Sequence, residues 1–263
     1  MVILEMIAAS LIYITRLQVR ISNYRLQELQ VLALANAGVE RGAARIYFCK
    51  QMENRIKTIP ENYPYSDQGS LGDGEYAFSV ENEEGKINLN NGSREQLLAV
   101  TLMAGVSGGS QLADFVLARR KEKKRFISLD ELVGQPFWNT DNRLRLEKYL
   151  TVFSNGKINV NCLAPELAFP QLPRKDWEKI KVFRYGGDGL PGTADDRFID
   201  EEKLKELLGE ENFGKVEEAV CYRGQAFLIK ARAVLKKKAT MIKRWVKFDY
   251  KKGQLVNLCW QES

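Results

Sequence analysis

The chain has 263 residues, 44% of them hydrophobic and 28% charged, a balance that excludes intrinsic disorder. Its 40 Lys and Arg against 34 Asp and Glu leave a net charge of +6 spread along the chain, which reads as a solvated surface before a nucleic-acid or anionic-lipid footprint. There is no histidine, so the commonest general base and transition-metal ligand is missing. The four dispersed cysteines (Cys49, Cys162, Cys221, Cys259) make no CxxC pattern and allow three pairings.

Met1 to Ile14 (MVILEMIAASLIYI) is apolar except for Glu5 and Ser10. As a helix this run spans about 21 Å, short of the roughly 30 Å of a bilayer core. It also lacks the basic start and small-residue cleavage site of an intact secretory signal. The helical pattern continues beyond it. Arg16 to Met52 contains no proline, and Leu17, Ile21, Tyr24, Leu32, Ala35, Val39, Ala43 and Ile46 recur at three- and four-residue steps, with Arg16, Arg20, Asn23, Gln27 and Gln30 on other faces. The spacing predicts one helix over 1–58, apolar at its head and amphipathic in its tail, ended at the latest by Thr58-Ile59-Pro60. A carboxylate in an apolar head is costly unless paired, so Glu5 is expected to find a partner on assembly.

Gly74 to Asn90 (GEYAFSVENEEGKINLN) alternates through Tyr76, Phe78 and Val80, then turns at Glu84-Gly85, which predicts a hairpin of two short strands over 74–90. The hexamer Gly-Lys-Ile-Asn-x-Asn occurs at Gly85 and again as GKINVN at 156–161, and each copy leads into helical sequence. Residues 91–218 therefore read as a helical domain with an internal repeat. Ser93 with Gln96, and Ser128 with Glu131, have the spacing of capping boxes at helix starts. Gly105-Val106-Ser107-Gly108 breaks the pattern between them, and Leu112, Phe115, Val116 and Arg119 mark the intervening helix.

This order resembles a helix-hairpin-helix unit, the kind of module that holds a DNA backbone on glycine amides at a helix N-terminus. Arg119, Arg120, Lys121, Lys123, Lys124 and Arg125 cluster just after it. A membrane-tethered DNA-binding or uptake protein is thus the rival reading. Cations at a helix C-terminus are more often a dipole-compensated, solvated end, so nucleic acid is not the expected partner.

Gly186 to Asp200 (GGDGLPGTADDRFID) reads as a loop. Asp188, Asp195 and Asp196, with Asp200 close enough to join, are candidate ligands for calcium, which favours several carboxylate and carbonyl oxygens on a turning backbone. The spacing is not that of an EF-hand, and Asp200 alternatively caps the following helix. Over 219–263, Gln225–Ala233, Met241–Tyr250 and Leu255–Trp260 alternate, with Lys236-Lys237-Lys238 and Lys251-Lys252-Gly253 as turns. This predicts an antiparallel sheet with one face on the long helix. The chain has no P-loop, dinucleotide glycine fingerprint, GxSxG or HExxH, so no catalytic or cofactor-binding residues are assigned and no enzymatic activity is expected.

Ala35-Asn36-Ala37-Gly38-Val39-Glu40-Arg41 resembles the A-x-A-G-V-E-R stretch typical of the K-type minor pseudopilins of bacterial type II secretion. The order of stem, two GKIN copies, helical insert and closing sheet is similar over nearly the whole chain. The resemblance implies an α+β fold: a type IV pilin-like long N-terminal helix packed on a small antiparallel sheet, with a large helix-hairpin-helix or SAM-like domain inserted between strands. It further implies a structural role at the tip of the secretion pseudopilus. The chain would pass once through the bacterial inner membrane, with its body in the periplasm. Its partners would be the I- and J-type minor pseudopilins and the inner-membrane secretion platform, and it would hold calcium. In that family more apolar residues usually precede this point, which implies an internal start at Met1. If the numbering instead begins at the mature chain, Glu5 matches the pilin glutamate that pairs with a neighbour's terminal amine, a residue that K-type members generally lack.

Overall fold

The computed structural model describes residues 2–53, 65–164, 167, 172–190, 193 and 195–262. The first element, α1 (Val2–Glu53), is one unbroken helix of 52 residues, about 78 Å long. The expected stop at Thr58-Ile59-Pro60 lies outside the described residues. The buried face of α1 begins only at Val31 and continues through Leu34, Ala35, Gly38, Val39, Gly42, Ala43, Ile46 and Lys50. These are the alternating three- and one-residue steps of a helix lying on a flat surface. Leu17 and Ile21, which share the apolar periodicity, are exposed because the sheet does not reach that far down the helix.

The surface beneath α1 is a five-stranded antiparallel sheet in the order β1-β2-β7-β8-β9. It opens with β1 (Tyr65–Leu71) and β2 (Gly74–Asn82). The hairpin expected over 74–90 does not form. Instead β2 runs on to Asn82, Glu83–Gly85 makes a 3-10 turn, and β3 (Ile87–Asn88) leaves the sheet. The reason is that Glu83 and Glu84 turn inward: the Glu84 carboxylate accepts hydrogen bonds from the amides of Gln225 and Ala226 at 3.1 and 3.0 Å.

The insert follows as α2 (Arg94–Met103), α3 (Gly109–Lys121), α4 (Thr140–Leu146), β4 (Leu150–Thr151), β5 (Ile158–Asn159), α5 (Arg174–Tyr185), α6 (Glu201–Gly214) and β6 (Val220–Cys221). Ser93 and Gln96 close the capping box as expected. Ser128 and Glu131 close theirs around a single 3-10 turn, Leu129–Leu132, and not around an α-helix. Each GKIN copy begins a similar unit, in which β3 pairs in parallel with β4 and β5 with β6, and the helices cross between them. The insert has its own core, including Leu89, Leu97, Leu112, Leu146, Trp177 and Leu204.

The chain then returns to the sheet through β7 (Ala226–Leu235), β8 (Lys238–Asp249) and β9 (Gln254–Glu262), all antiparallel. Phe227, Ile229, Ala231, Ala233, Ile242 and Val246 face α1 in a second core. The architecture is α+β: a long N-terminal helix packed on an antiparallel sheet, with further helices inserted between β2 and β7.

Candidate assembly surfaces and the acidic loop

Two features make α1 a stem. Val2, Ile3, Leu4, Met6, Ile7 and Leu11 are all more than half exposed. Among the described residues, α1 is the one helix long and apolar enough to cross a membrane, and none of its most apolar stretch is buried. Glu5 is exposed in the first turn of this bare segment, away from the body.

The packing also fixes which end of the body carries the insert. A Cβ placed on Gly74, at the start of β2, would run into Leu34, and one on Gly42 would lie 3.4 Å from Val80, near the strand's end. Thus α1 and β2 run the same way, away from the stem. Lys50, near the end of α1, lies over the Phe227 ring at 5.2 Å, at the start of β7. The strands bordering the insert therefore open at the end of the body remote from the bare helix.

At that junction a cluster of paired charges ties insert to sheet. Lys86, the lysine of the first GKIN copy, bonds Glu83 at 2.7 Å and Glu81 at 3.2 Å, and Lys230 of β7 also pairs with Glu81. Thr151 of β4 donates to Glu83. Burial pushes the Glu81 carboxyl up, but Lys86 and Lys230 together outweigh it and hold the group below the usual carboxylate range. Burial likewise lowers Lys86, yet Glu83 and Glu81 carry it above its ordinary range. Farther along, Glu147 meets Lys243 at 3.2 Å and Phe153 packs on Trp245 at 5.1 Å. These contacts surround a cavity of about 160 Å³.

The cations expected beside the hairpin divide in two. Arg119 pairs with Glu131 and stacks on Phe126 at 4.6 Å, while Arg120 donates to the carbonyls of Leu89 and Gly92. Lys121, Lys123, Lys124 and Arg125 remain at the surface, with Lys124 paired to Glu122 at 2.8 Å. Gly108, just ahead of α3, takes φ +96, a conformation that a side chain would strain.

The four candidate calcium ligands are not brought to one point. Asp196 is buried in an ion pair with Arg184 at 3.0 Å, and Asp200 caps α6 by accepting from the Lys203 amide at 2.9 Å. Asp188 and Asp195 do converge. Thr193 Oγ1 donates to Asp195 at 2.7 Å and lies 3.4 Å from Asp188, and the amides of Gly187 and Leu190 donate to Asp195 and Asp188, each at 2.8 Å. The hydrogen bonds from Thr193 and then Gly187 hold Asp195 below the usual carboxylate range, so it stays ionised. Among the described residues no group of three or more Asp, Glu or Cys is arranged to hold a metal ion. The loop thus fits a two-carboxylate site completed by backbone or water oxygens, and does not fit a four-aspartate shell.

The sequence matches no protein-family model and no curated protein. Its fold does match solved structures. One chain of the crystal structure of the GspK-GspI-GspJ complex from the enterotoxigenic Escherichia coli type 2 secretion system is similar with a TM-score of 0.64, over 92% of this chain and 99% of that chain, at 10% sequence identity. The fold is pseudopilin-like. In its terms α1 is the stem, the five-stranded sheet is the body, and the segment between β2 and β7 is the insert.

Sequence reasoning missed the charge cluster that joins body and insert in this pseudopilin-like fold. The one signal for it was a lysine inside a repeated motif. Lys157, its counterpart in the second GKIN copy, is exposed, so the motif alone could not say which lysine is structural.

Proposed function

We propose that this chain is a minor pseudopilin of the K type, placed at the tip of a type II secretion pseudopilus. The observation that carries the reading is the position of the insert. A bulky helical domain crowns the end of the body farthest from the bare stem, where a further subunit would otherwise stack. The stem bundles with sister pseudopilins through its exposed apolar face and holds the chain in the bacterial inner membrane, with the body in the periplasm. I- and J-type minor pseudopilins are the partners, a reading supported by the complex in which the similar chain was solved. The inner-membrane platform is the third. Glu5, on the bare segment, is placed to pair with a neighbouring chain's terminal amine.

The chain works by docking and has no catalytic role. Calcium, where bound, takes Asp188 and Asp195 and stiffens the loop between α5 and α6. DNA binding has no observation in its favour, because Arg119 and Arg120 are engaged inside the insert.

Co-expression of the full chain with I- and J-type pseudopilins from the same cell, followed by affinity capture on any one of them, is expected to recover all three. Recovery of the other two without this chain overturns the proposal. Gel-shift titration at low and high salt is expected to show no salt-sensitive DNA complex.

A further inference from the structure

The base of the stem carries a second feature that the tip reading does not use. A helix starting at Val2 crosses about 30 Å of hydrocarbon by about Ile21. Arg16 and Arg20 fall in the last turns of that length, from which long side chains reach the phosphate level. Arg25 follows one turn on, and all three are exposed. Tyr24 lies at the same height, where aromatic rings favour the membrane–water boundary.

The body contributes to this level through the β7–β8 turn. Lys238 Nζ lies 2.8 Å from the centroid of the Tyr24 ring and 2.9 Å from the Glu28 carboxylate, which anchors the turn against the helix. With Lys238 so paired, Lys236 and Lys237 project as exposed cations beside the three arginines, and Asp73 is the acid on the adjoining β1–β2 turn. The turn's backbone argues that its charge matters. Leu235 and Lys238 close a two-residue hairpin in which Lys236 adopts φ +56. Glycine, asparagine or aspartate suits that conformation, and lysine is strained in it. A residue kept against its local preference points to a role outside the fold.

We infer that Arg16, Arg20, Arg25, Lys236 and Lys237 form a basic collar that binds the phosphates of anionic phospholipid headgroups where the stem leaves the bilayer. The collar sets the height and tilt of the body above the membrane. The occupant is a lipid surface because the cations ring the base of the apolar segment, where a bilayer would present its phosphates. This inference rests on the membrane-anchored reading of the stem.

The test uses the full chain in nanodiscs of phosphatidylcholine, with or without phosphatidylglycerol, and follows amide hydrogen exchange in the 235–240 turn and in the 24–28 segment of α1. Exchange is expected to be slower in the phosphatidylglycerol discs, and the protection to vanish at high salt. The double variant Lys236→Gly, Lys237→Ser relieves the strained backbone and so keeps the hairpin. It is expected to lose protection by about fivefold per charge removed. Equal exchange in the two discs, or a variant that behaves as the parent, overturns the collar alone, because co-elution with the discs still reports an inserted stem. Failure to co-elute with either disc overturns the anchored stem and the collar together.

Discussion

Asn90 and Phe126 exchange two hydrogen bonds across 36 residues: Phe126 N donates to Asn90 Oδ1 at 2.7 Å, and Asn90 Nδ2 donates to Phe126 O at 2.9 Å. A side-chain amide here does the work of a strand neighbour, satisfying both backbone groups of a residue that has no strand partner. The second GKIN copy repeats the device. Asn161 Oδ1 accepts from Ile199 N at 2.8 Å, and its Nδ2 donates to Ile199 O at 2.8 Å. In both copies the asparagine two places earlier accepts from the later one's amide. In both, an arginine near a helix C-terminus, Arg120 or Arg184, grips a carbonyl beside the motif. The insert is therefore two versions of one unit, each closed by an asparagine that clasps the chain on its return.

Removing either clasp should be costly. Asn90→Ala and Asn161→Ala each strand a backbone donor and acceptor, which predicts a loss of about 2–4 kcal/mol apiece. Lys157→Ala, on the exposed lysine of the same motif, should change stability by less than about 0.5 kcal/mol. Urea denaturation of the three variants checks this. An Asn90→Ala protein as stable as the parent would remove the clasp from the account.

Much of this architecture was legible because it is periodic. The long helix, the three C-terminal strands and their lysine turns all came from apolar spacing. The edge strand β1 did not, because Tyr65–Leu71 (YSDQGSL) is mostly exposed and carries no alternating apolar face. The parallel pairs β3–β4 and β5–β6 are two residues long, too short to leave a pattern. The repeated Asn-x-Asn was visible, but its partners Phe126 and Ile199 lie 36 and 38 residues away with nothing in common but an exposed backbone to satisfy. In the acidic loop four aspartates looked alike. Only the fold sets Asp196 against the buried Arg184 and leaves Asp188 and Asp195 sharing Thr193.

The contact between α1 and the sheet predicts opposite signs for two Gly→Ala changes. A Cβ on Gly42 would lie 2.7 Å from Ile229 Cγ2, closer than packed carbons tolerate. Gly42→Ala should therefore destabilise by about 1–3 kcal/mol despite alanine's better helix propensity. Gly214, at the end of α6, has open space around its Cα, so Gly214→Ala should gain up to about 1 kcal/mol. Thermal melts of the two variants, measured side by side, decide it.

The charge cluster at the insert junction predicts a stability plateau bounded on both sides. Glu81 is held below the usual carboxylate range in the folded chain, so its contribution is present above the unfolded value and is lost as pH falls through the folded one. Lys86 is held above the usual lysine range, so its contribution is complete below the unfolded value and is lost as pH rises through the folded one. The melting temperature is thus expected to decline in acid and again in strong alkali. Glu81→Gln should flatten the acid limb. An unchanged acid slope in that variant would assign the limb to other carboxylates.

Calcium is predicted to bind at the Asp188–Asp195 pair and stiffen the α5–α6 loop. Two carboxylates give a weak site, of the order of the millimolar affinities of extracellular modules. Several millimolar calcium should then stabilise chelator-treated protein by about 1–2 kcal/mol, read as a rise in melting temperature of a few degrees. Asp195→Asn should abolish the increment, and Asp200→Asn should leave it while weakening the α6 cap. A calcium increment that survives in Asp195→Asn would place any ion elsewhere.

Truncation separates the two halves of α1. The packed face begins at Val31, so removing residues 1–30 deletes the bare stem and spares the helix–sheet core. Within the folded body the loss is confined to the Lys238 contacts with Tyr24 and Glu28. Because Glu28 is half-exposed, that pair is worth at most about 1 kcal/mol. The shortened chain should therefore fold, melt cooperatively within a few degrees of the full one, and partition into the soluble fraction. Recovery of a folded 31–263 chain with the membranes would mean that the body itself holds the bilayer. The apolar helix would then no longer be the anchor.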